Sequence, residues 1–302
     1  TKARGRTMSR PLSHWLLLVA LAVVWGSSFG LTRVAVAELT PAMLVAGRNM
    51  IAACGLLLLV LMLRRAFPHG RRVWGYMLVI AVVGNMLPFL LISWGQQRID
   101  SGLAGILMAV MPLLTLVLAH FHVPGERIVP QRLVGFLIGF VGILTLIGPT
   151  ALCDLGGRGE LLLAQLAVLG GAVCYAVNAI VSRHKPASDP WSTSALVLSM
   201  AWLLTLPLAM VTWPVEATAI PALSPAALWA VAVLGLVCTA LGSVIYFSLV
   251  AAAGPTFLSM INYLIPLWAV LMGTLFLNER LEWNQLLAMA LILGGVAWSQ
   301  RR

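Results

Sequence analysis

Three asparagines, Asn85, Asn178 and Asn262, stand in the middle of long apolar stretches of this chain. A primary amide carries two donors and an acceptor, and it cannot return them to its own helix as easily as a hydroxyl can. In hydrocarbon an unsatisfied polar group costs free energy, so these side chains are expected to bond across helices or to face a wet cavity. Ser27, Ser28, Thr32, Thr239 and Ser243 also interrupt apolar stretches, with the simpler option of bonding the carbonyl four residues back. Trp25, Tyr175, Tyr246 and Tyr263 lie beside these polar positions. They are deeper than Trp74, Trp191, Trp213, Trp229 and Trp283, whose places at stretch ends fit an interfacial belt. Aromatic faces can stack on a planar apolar body while amides hold a polar head, which is the chemistry of reversible binding. The expected substrate contacts are Trp25, Ser28, Asn85, Met108, Tyr175, Asn178, Tyr246, Asn262 and Tyr263, with Met111 as further adaptable lining.

Bond-breaking chemistry has no such footing. The chain has no H-E-x-x-H, no G-x-S-x-G and no paired carboxylates within an apolar stretch, so an enzyme is not expected. Cys54, Cys153, Cys174 and Cys238 are scattered without metal-ligand spacing, and His120 and His122, two apart, do not share a helical face. Neither a metal nor a cofactor is expected. All nine acidic residues lie at stretch ends or in connecting segments, which leaves no intramembrane carboxylate as a proton relay and points to uncoupled transport. Arg48 is the exception among the cations, about seven residues inside a stretch. A central Arg costs roughly 2.5 to 3.5 kcal/mol on insertion scales, so Arg48 is expected to snorkel outward or pair with Glu38 in preference to meeting a substrate carboxylate.

The elements that must position these residues follow from composition and charge spacing. The 302 residues are 61% hydrophobic and 9% charged, against about a quarter charged in soluble domains. Runs of some 20 residues with few charges recur along the chain, each long enough to cross a bilayer as a helix. Ten spans are expected, over 12 to 35, 41 to 63, 73 to 95, 101 to 122, 131 to 149, 160 to 183, 191 to 213, 226 to 252, 255 to 277 and 283 to 299. Gly254-Pro255 divides the longest run. Pro88, Pro112 and Pro266 interrupt spans and are candidate hinges.

The net charge of +10 is laid out for membrane orientation, with no nucleic-acid partner implied. If the basic tail, residues 1 to 11, is cytoplasmic, fourteen of the nineteen Lys and Arg fall on the inner side. Both termini are then cytoplasmic in a bacterial-type inner membrane. The first apolar stretch is too long for the 7 to 15 residues of a signal-peptide core, so "AVA" at 35 to 37 is not taken as a cleavage site.

The chain also repeats itself. At an offset of 150, "WGSSFGLTR" from Trp25 lies on "YAVNAIVSR" from Tyr175, aligning Ser28 with Asn178 and Arg33 with Arg183. Pro41 lies on Pro190, Pro112 on Pro266, and Glu126-Arg127 on Glu279-Arg280. Five spans per half is an odd number, so the second half, 160 to 300, enters the membrane from the side opposite to the first, 12 to 150, with an external loop over 151 to 159. Inverted repeats of this kind are a transporter signature with the substrate near the midplane.

The paired "WGSSF…TR" ends, the proline-containing fourth spans and the closing Glu-Arg before a Gly-rich helix resemble the EamA-type drug/metabolite transporter superfamily. Within it the chain is most similar to exporters of aromatic amino acids. The resemblance implies an all-α membrane protein of ten helices in two inverted five-helix repeats, working by alternating access through a central cavity. Its implied partners are the lipid bilayer and small-molecule amino-acid substrates, aromatic and other apolar ones favoured. Quaternary amines, other metabolites or lipids are the alternative cargo. Tyr175-Ala176 replaces Trp-Gly in the second copy, so the two copies need not do the same work. Gly135, Gly139, Gly142, Gly294 and Gly295 allow close helix approach, read as packing within a monomeric functional unit, with a dimer contact as the alternative.

Overall fold

The computed structural model describes residues 11–99, 101–153, 159–212, 223–265, 267–268 and 283–299. The expected basic tail, Pro266 and the Glu279-Arg280 pair lie outside them. Among the described residues the chain is helical. The helices are α1 (Leu12–Val36), α2 (Pro41–Met62), α3 (Arg71–Gln96), α4 (Ser101–Met108), α5 (Met111–His122), α6 (Pro130–Cys153), α7 (Glu160–His184), α8 (Pro190–Val211), α9 (Pro225–Ala253), α10 (Pro255–Ile265) and α11 (Trp283–Ser299).

Their starts follow from local chemistry. Thr40, Asp189 and Ser224 accept the backbone N–H of Met43, Ser192 and Ala227, and each is followed by a proline at the first helical position, where the missing N–H costs nothing. α9 ends at Gly254, whose φ of +86° suits glycine, and Pro255 opens α10. α1, α2, α3, α7, α8 and α9 are long and apolar enough to cross a bilayer, and four shorter apolar helices accompany them among the described residues. Outward-facing Leu58, Leu61, Leu163, Leu203 and Leu228 are more than half exposed. That face requires lipid, and the chain is an integral membrane protein.

Two spans depart from a plain α-helix. Val82–Met86 of α3 and Leu234–Leu241 of α9 are π-helical. In α3, the Leu87 amide reaches the Val82 carbonyl five residues back, a widened turn that precedes Pro88 and absorbs the ring's clash with the preceding turn. In α9, the Thr239 hydroxyl donates to the Leu234 carbonyl at 2.7 Å. The fourth predicted span is two helices, α4 and α5, and Pro112 sits in the first turn of α5, where it breaks no hydrogen bond.

The most extensive packing is α6 on α11 and α2 on α8, followed by α3 on α7 and α9 on α1 and α2. The α6–α11 contact is set by glycine: a Cβ on Gly295 would stand 2.5 Å from the Gly135 carbonyl oxygen and 2.6 Å from the Gly139 nitrogen. Gly142 also faces α11, whereas Gly294 has nothing within 4 Å. Gly235, in the π-turn of α9, brings α2 close, since a Cβ there would meet Ile51 at 2.7 Å.

Candidate functional site

Polar side chains from α1, α2, α3, α7, α9 and α10 converge on one central cavity, which α4 and α5 close from another side. The space open to the centres of water-sized molecules is about 90 Å³. Its walls are built from helical stripes. From α3 come Asn85, Phe89, Ser93 and Gln96, spaced three or four apart on one face. From α1 come Trp25, Ser28, Phe29 and Thr32, and from α9 Thr239, Ser243 and Tyr246.

Eight of the nine expected contacts line the cavity: Trp25, Ser28, Asn85, Met108, Tyr175, Asn178, Tyr246 and Asn262. Tyr263 does not. Its ring is fully buried, packed edge-on to Phe136 at 5.8 Å, and its hydroxyl donates to the Phe136 carbonyl at 2.9 Å. It ties α10 to α6, because depth in the membrane does not distinguish a cavity wall from a helix contact.

The aromatic walls are fixed by hydrogen bonds and ring contacts. The Trp25 indole N–H donates to the Cys238 carbonyl at 3.0 Å, and its ring stands 6.0 Å from Tyr246. Gly242 makes room for that indole, since a Cβ there would be 2.6 Å from its nitrogen. Tyr175 meets Phe89 edge-on at 6.4 Å. Asn178 donates to the Tyr246 hydroxyl at 2.9 Å, and Ser182 donates to the Asn178 carbonyl oxygen at 3.4 Å. Gly84, in the π-turn of α3, lets Asn178 lie against that helix, because a Cβ there would come within 2.7 Å of its amide. The Asn262 amide donates to the Ser259 carbonyl at 3.2 Å and approaches the Met111 sulfur at 3.0 Å. The serines follow the local option: Ser27 donates to Val23 and Ser28 to Trp25.

Arg48 corrects the sequence expectation. It neither snorkels nor pairs with Glu38: it is 5% exposed, and its Nε donates to Thr239 Oγ1 at 3.0 Å. Its guanidinium lies 3.9 Å over the Phe89 ring on the cavity wall. Glu38 instead accepts from the Ser224 hydroxyl at 2.5 Å and amide at 2.8 Å. Those bonds, the hydroxyl's foremost, hold its carboxyl below the ordinary value and fasten the α1–α2 turn to the start of α9.

Sequence reasoning missed Arg48, Phe89, Ser93 and Gln96. The stripe was there to be found, since Phe89, Ser93 and Gln96 follow Asn85 at helical spacing. The Gln96 amide is buried, with no hydrogen-bond partner for either its oxygen or its nitrogen. Among the described residues lining the cavity there is no Asp or Glu.

Comparison with known proteins agrees with this architecture. The EamA-like transporter family matches residues 13–148 and again 162–300. The chain is 28% identical over 285 residues to the uncharacterised inner membrane transporter YedA of Escherichia coli (strain K12), covering 92% of this chain and 88% of that one. It is 25% identical over 290 residues to the uncharacterised transporter YvbV of Bacillus subtilis (strain 168), covering 93% and 89%. A solved crystal structure superposes with a TM-score of 0.76 at 21% identity, over 96% of this chain and 99% of that one, which establishes likeness of fold. With both matched segments together spanning nearly its whole length, the chain belongs to the EamA-like transporter family.

Proposed function

We propose that this protein exports amino acids, aromatic and other largely apolar ones first, across a bacterial inner membrane by alternating access. The observation that carries the reading is the composition of the cavity wall. Aromatic rings (Trp25, Phe89, Tyr175, Tyr246) supply broad apolar faces, and asparagines (Asn85, Asn178, Asn262) supply separated polar points, the combination that orients a small planar ligand.

Alternating access draws support from the duplication. The family matches the chain twice in succession, and the packing pairs like with like: the fifth and tenth expected spans, α6 and α11, meet, as do the second and seventh, α2 and α8. The exchange of roles between α3 on α7 and α9 on α1 is what two inverted five-helix halves, ten helices in all, produce. The two π-turns lie in the third and eighth spans, which are also equivalent. Both termini are then cytoplasmic. The name of YedA as an inner membrane transporter supports that location. A cavity lined without carboxylates favours transport driven by the substrate gradient alone.

The test is flux from liposomes holding the purified protein. Phenylalanine and tryptophan are expected to leave faster than from protein-free vesicles. Choline or fluorescent phospholipid moving in their place would assign the cavity to quaternary amines or lipids.

A further inference from the structure

Resting on that transport reading, the geometry points to one discriminating group: we propose that Arg48 binds the carboxylate of the cargo, so that the cavity selects planar apolar carboxylates, with or without an amino group, and rejects the corresponding amines.

Arg48 is built in as a fixed cation. Its Nε is committed to Thr239 at 3.0 Å, and Phe89 lies beneath the guanidinium plane at 3.9 Å, a stacking that suits Arg and orients its fork. With Nε occupied, the two terminal nitrogens remain as the parallel pair that matches both oxygens of a carboxylate. They have no protein acceptor among the described residues, and the side chain lines the cavity.

The charge around it is uncompensated. The acid nearest in sequence, Glu38, is spent on Ser224, and no described lining residue is acidic. A cation 95% removed from solvent without an anion is costly to hold, and a carboxylate entering the cavity removes that cost. An amine lacking a carboxylate brings a second positive charge and finds no acid to meet it. The α-amino group of an amino acid is tolerated because its own carboxylate offsets the charge, and the faces of Trp25 and Tyr246 accept a cation.

Further polar groups stand on the same face of α3 as Phe89. Asn85 is one helical turn before it, and Gln96 is about two turns after it, with neither of its buried amide atoms partnered. An amide that is buried and unsatisfied is paid for only where something else completes it.

The experiment compares three probes of one skeleton, phenylalanine, 3-phenylpropanoate and 2-phenylethylamine, in two measurements. The first is liposome flux, and the second is quenching of tryptophan fluorescence on binding to detergent-solubilised protein. Wild type is expected to bind and move the two acids at least tenfold better than the amine. Arg48→Gln is expected to lose at least tenfold in affinity and flux for both acids. Arg48→Lys is expected to recover part of the affinity, because the charge remains and the fork does not.

Equal handling of amine and acids by wild type overturns the proposal without any variant, so a misfolded Arg48→Gln cannot shelter it. Undiminished acid binding by a folded Arg48→Gln overturns it too, as does failure of wild type to bind either acid. Acid binding that depends on Arg48, in a protein that moves none of the probes, upholds the carboxylate site and removes the transport reading instead.

Discussion

At the scale of single residues, two tyrosines at similar depth make opposite predictions. Tyr246 faces the cavity and receives the Asn178 amide at 2.9 Å, whereas Tyr263 donates to the Phe136 backbone between α10 and α6. Tyr246→Phe keeps the ring and weakens that tie, and is expected to raise the KM for amino-acid flux severalfold with little change in melting temperature. Tyr263→Phe is expected to leave KM unchanged and to cost about 1 kcal/mol of stability, visible as a lower melting temperature in detergent. Trp25→Ala and Asn85→Ala should each reduce flux about tenfold while the protein stays monodisperse on gel filtration; wild-type flux in both would remove the cavity assignment. The asparagines could be read from sequence because an amide in hydrocarbon always needs a partner. Arg48 could not, since whether a long side chain reaches the interface or turns inward depends on what stands beside it, here Thr239 and Phe89.

At the scale of elements, the six long apolar helices follow from charge spacing, and the proline-led starts of three of them, α2, α8 and α9, from Thr40, Asp189 and Ser224. The two π-turns do not follow from it, because apolar residues on every side erase the periodicity that would betray a change of turn. The split of the fourth span into α4 and α5 was equally hidden, although Pro112 marked the place. Glycines in one seam make a sharp pair of tests. Gly295→Ala sets a methyl 2.5 Å from a backbone oxygen that cannot rotate away, and is expected to destabilise α6–α11 by about 1 to 3 kcal/mol. Gly294→Ala, with open space around it, is expected to be neutral or slightly stabilising. Thermal unfolding of both in the same detergent checks the pair.

For the molecule as a whole, the described acidic residues, Glu38, Glu126, Glu160 and Asp189, all lie at helix ends or in connections, and two predictions follow. An imposed proton gradient at fixed substrate gradient is expected to leave the efflux rate unchanged; strong acceleration would show that coupling resides in groups other than mid-span carboxylates. Stability, in turn, should respond to acid only far from neutrality. At the α7–α8 connection, partial burial pushes the Asp189 carboxyl up, but the Ser192 amide and the Arg65 guanidinium, 2.6 Å away, outweigh it and hold the group below its ordinary value. A depressed carboxyl stabilises the fold above its unfolded value near 3.8 and loses that contribution as pH falls through the folded value. The melting temperature of wild type relative to Asp189→Asn is therefore expected to be constant from pH 8 to about 5 and to converge only in stronger acid, by a small amount because both partners are partly exposed.

The wide turn at Val82–Met86 sets the rotational phase of everything beyond it in α3. One residue of an α-helix is worth about 100° of rotation. Wound at ordinary pitch with no residue removed, the same segment would swing Phe89, Ser93 and Gln96 off the cavity together by about that angle, whereas deleting one residue of Val82–Met86 as the turn tightens would keep them facing it. The wide turn thus lets α3 carry one residue more than ordinary pitch would allow while its cavity-facing stripe keeps its register.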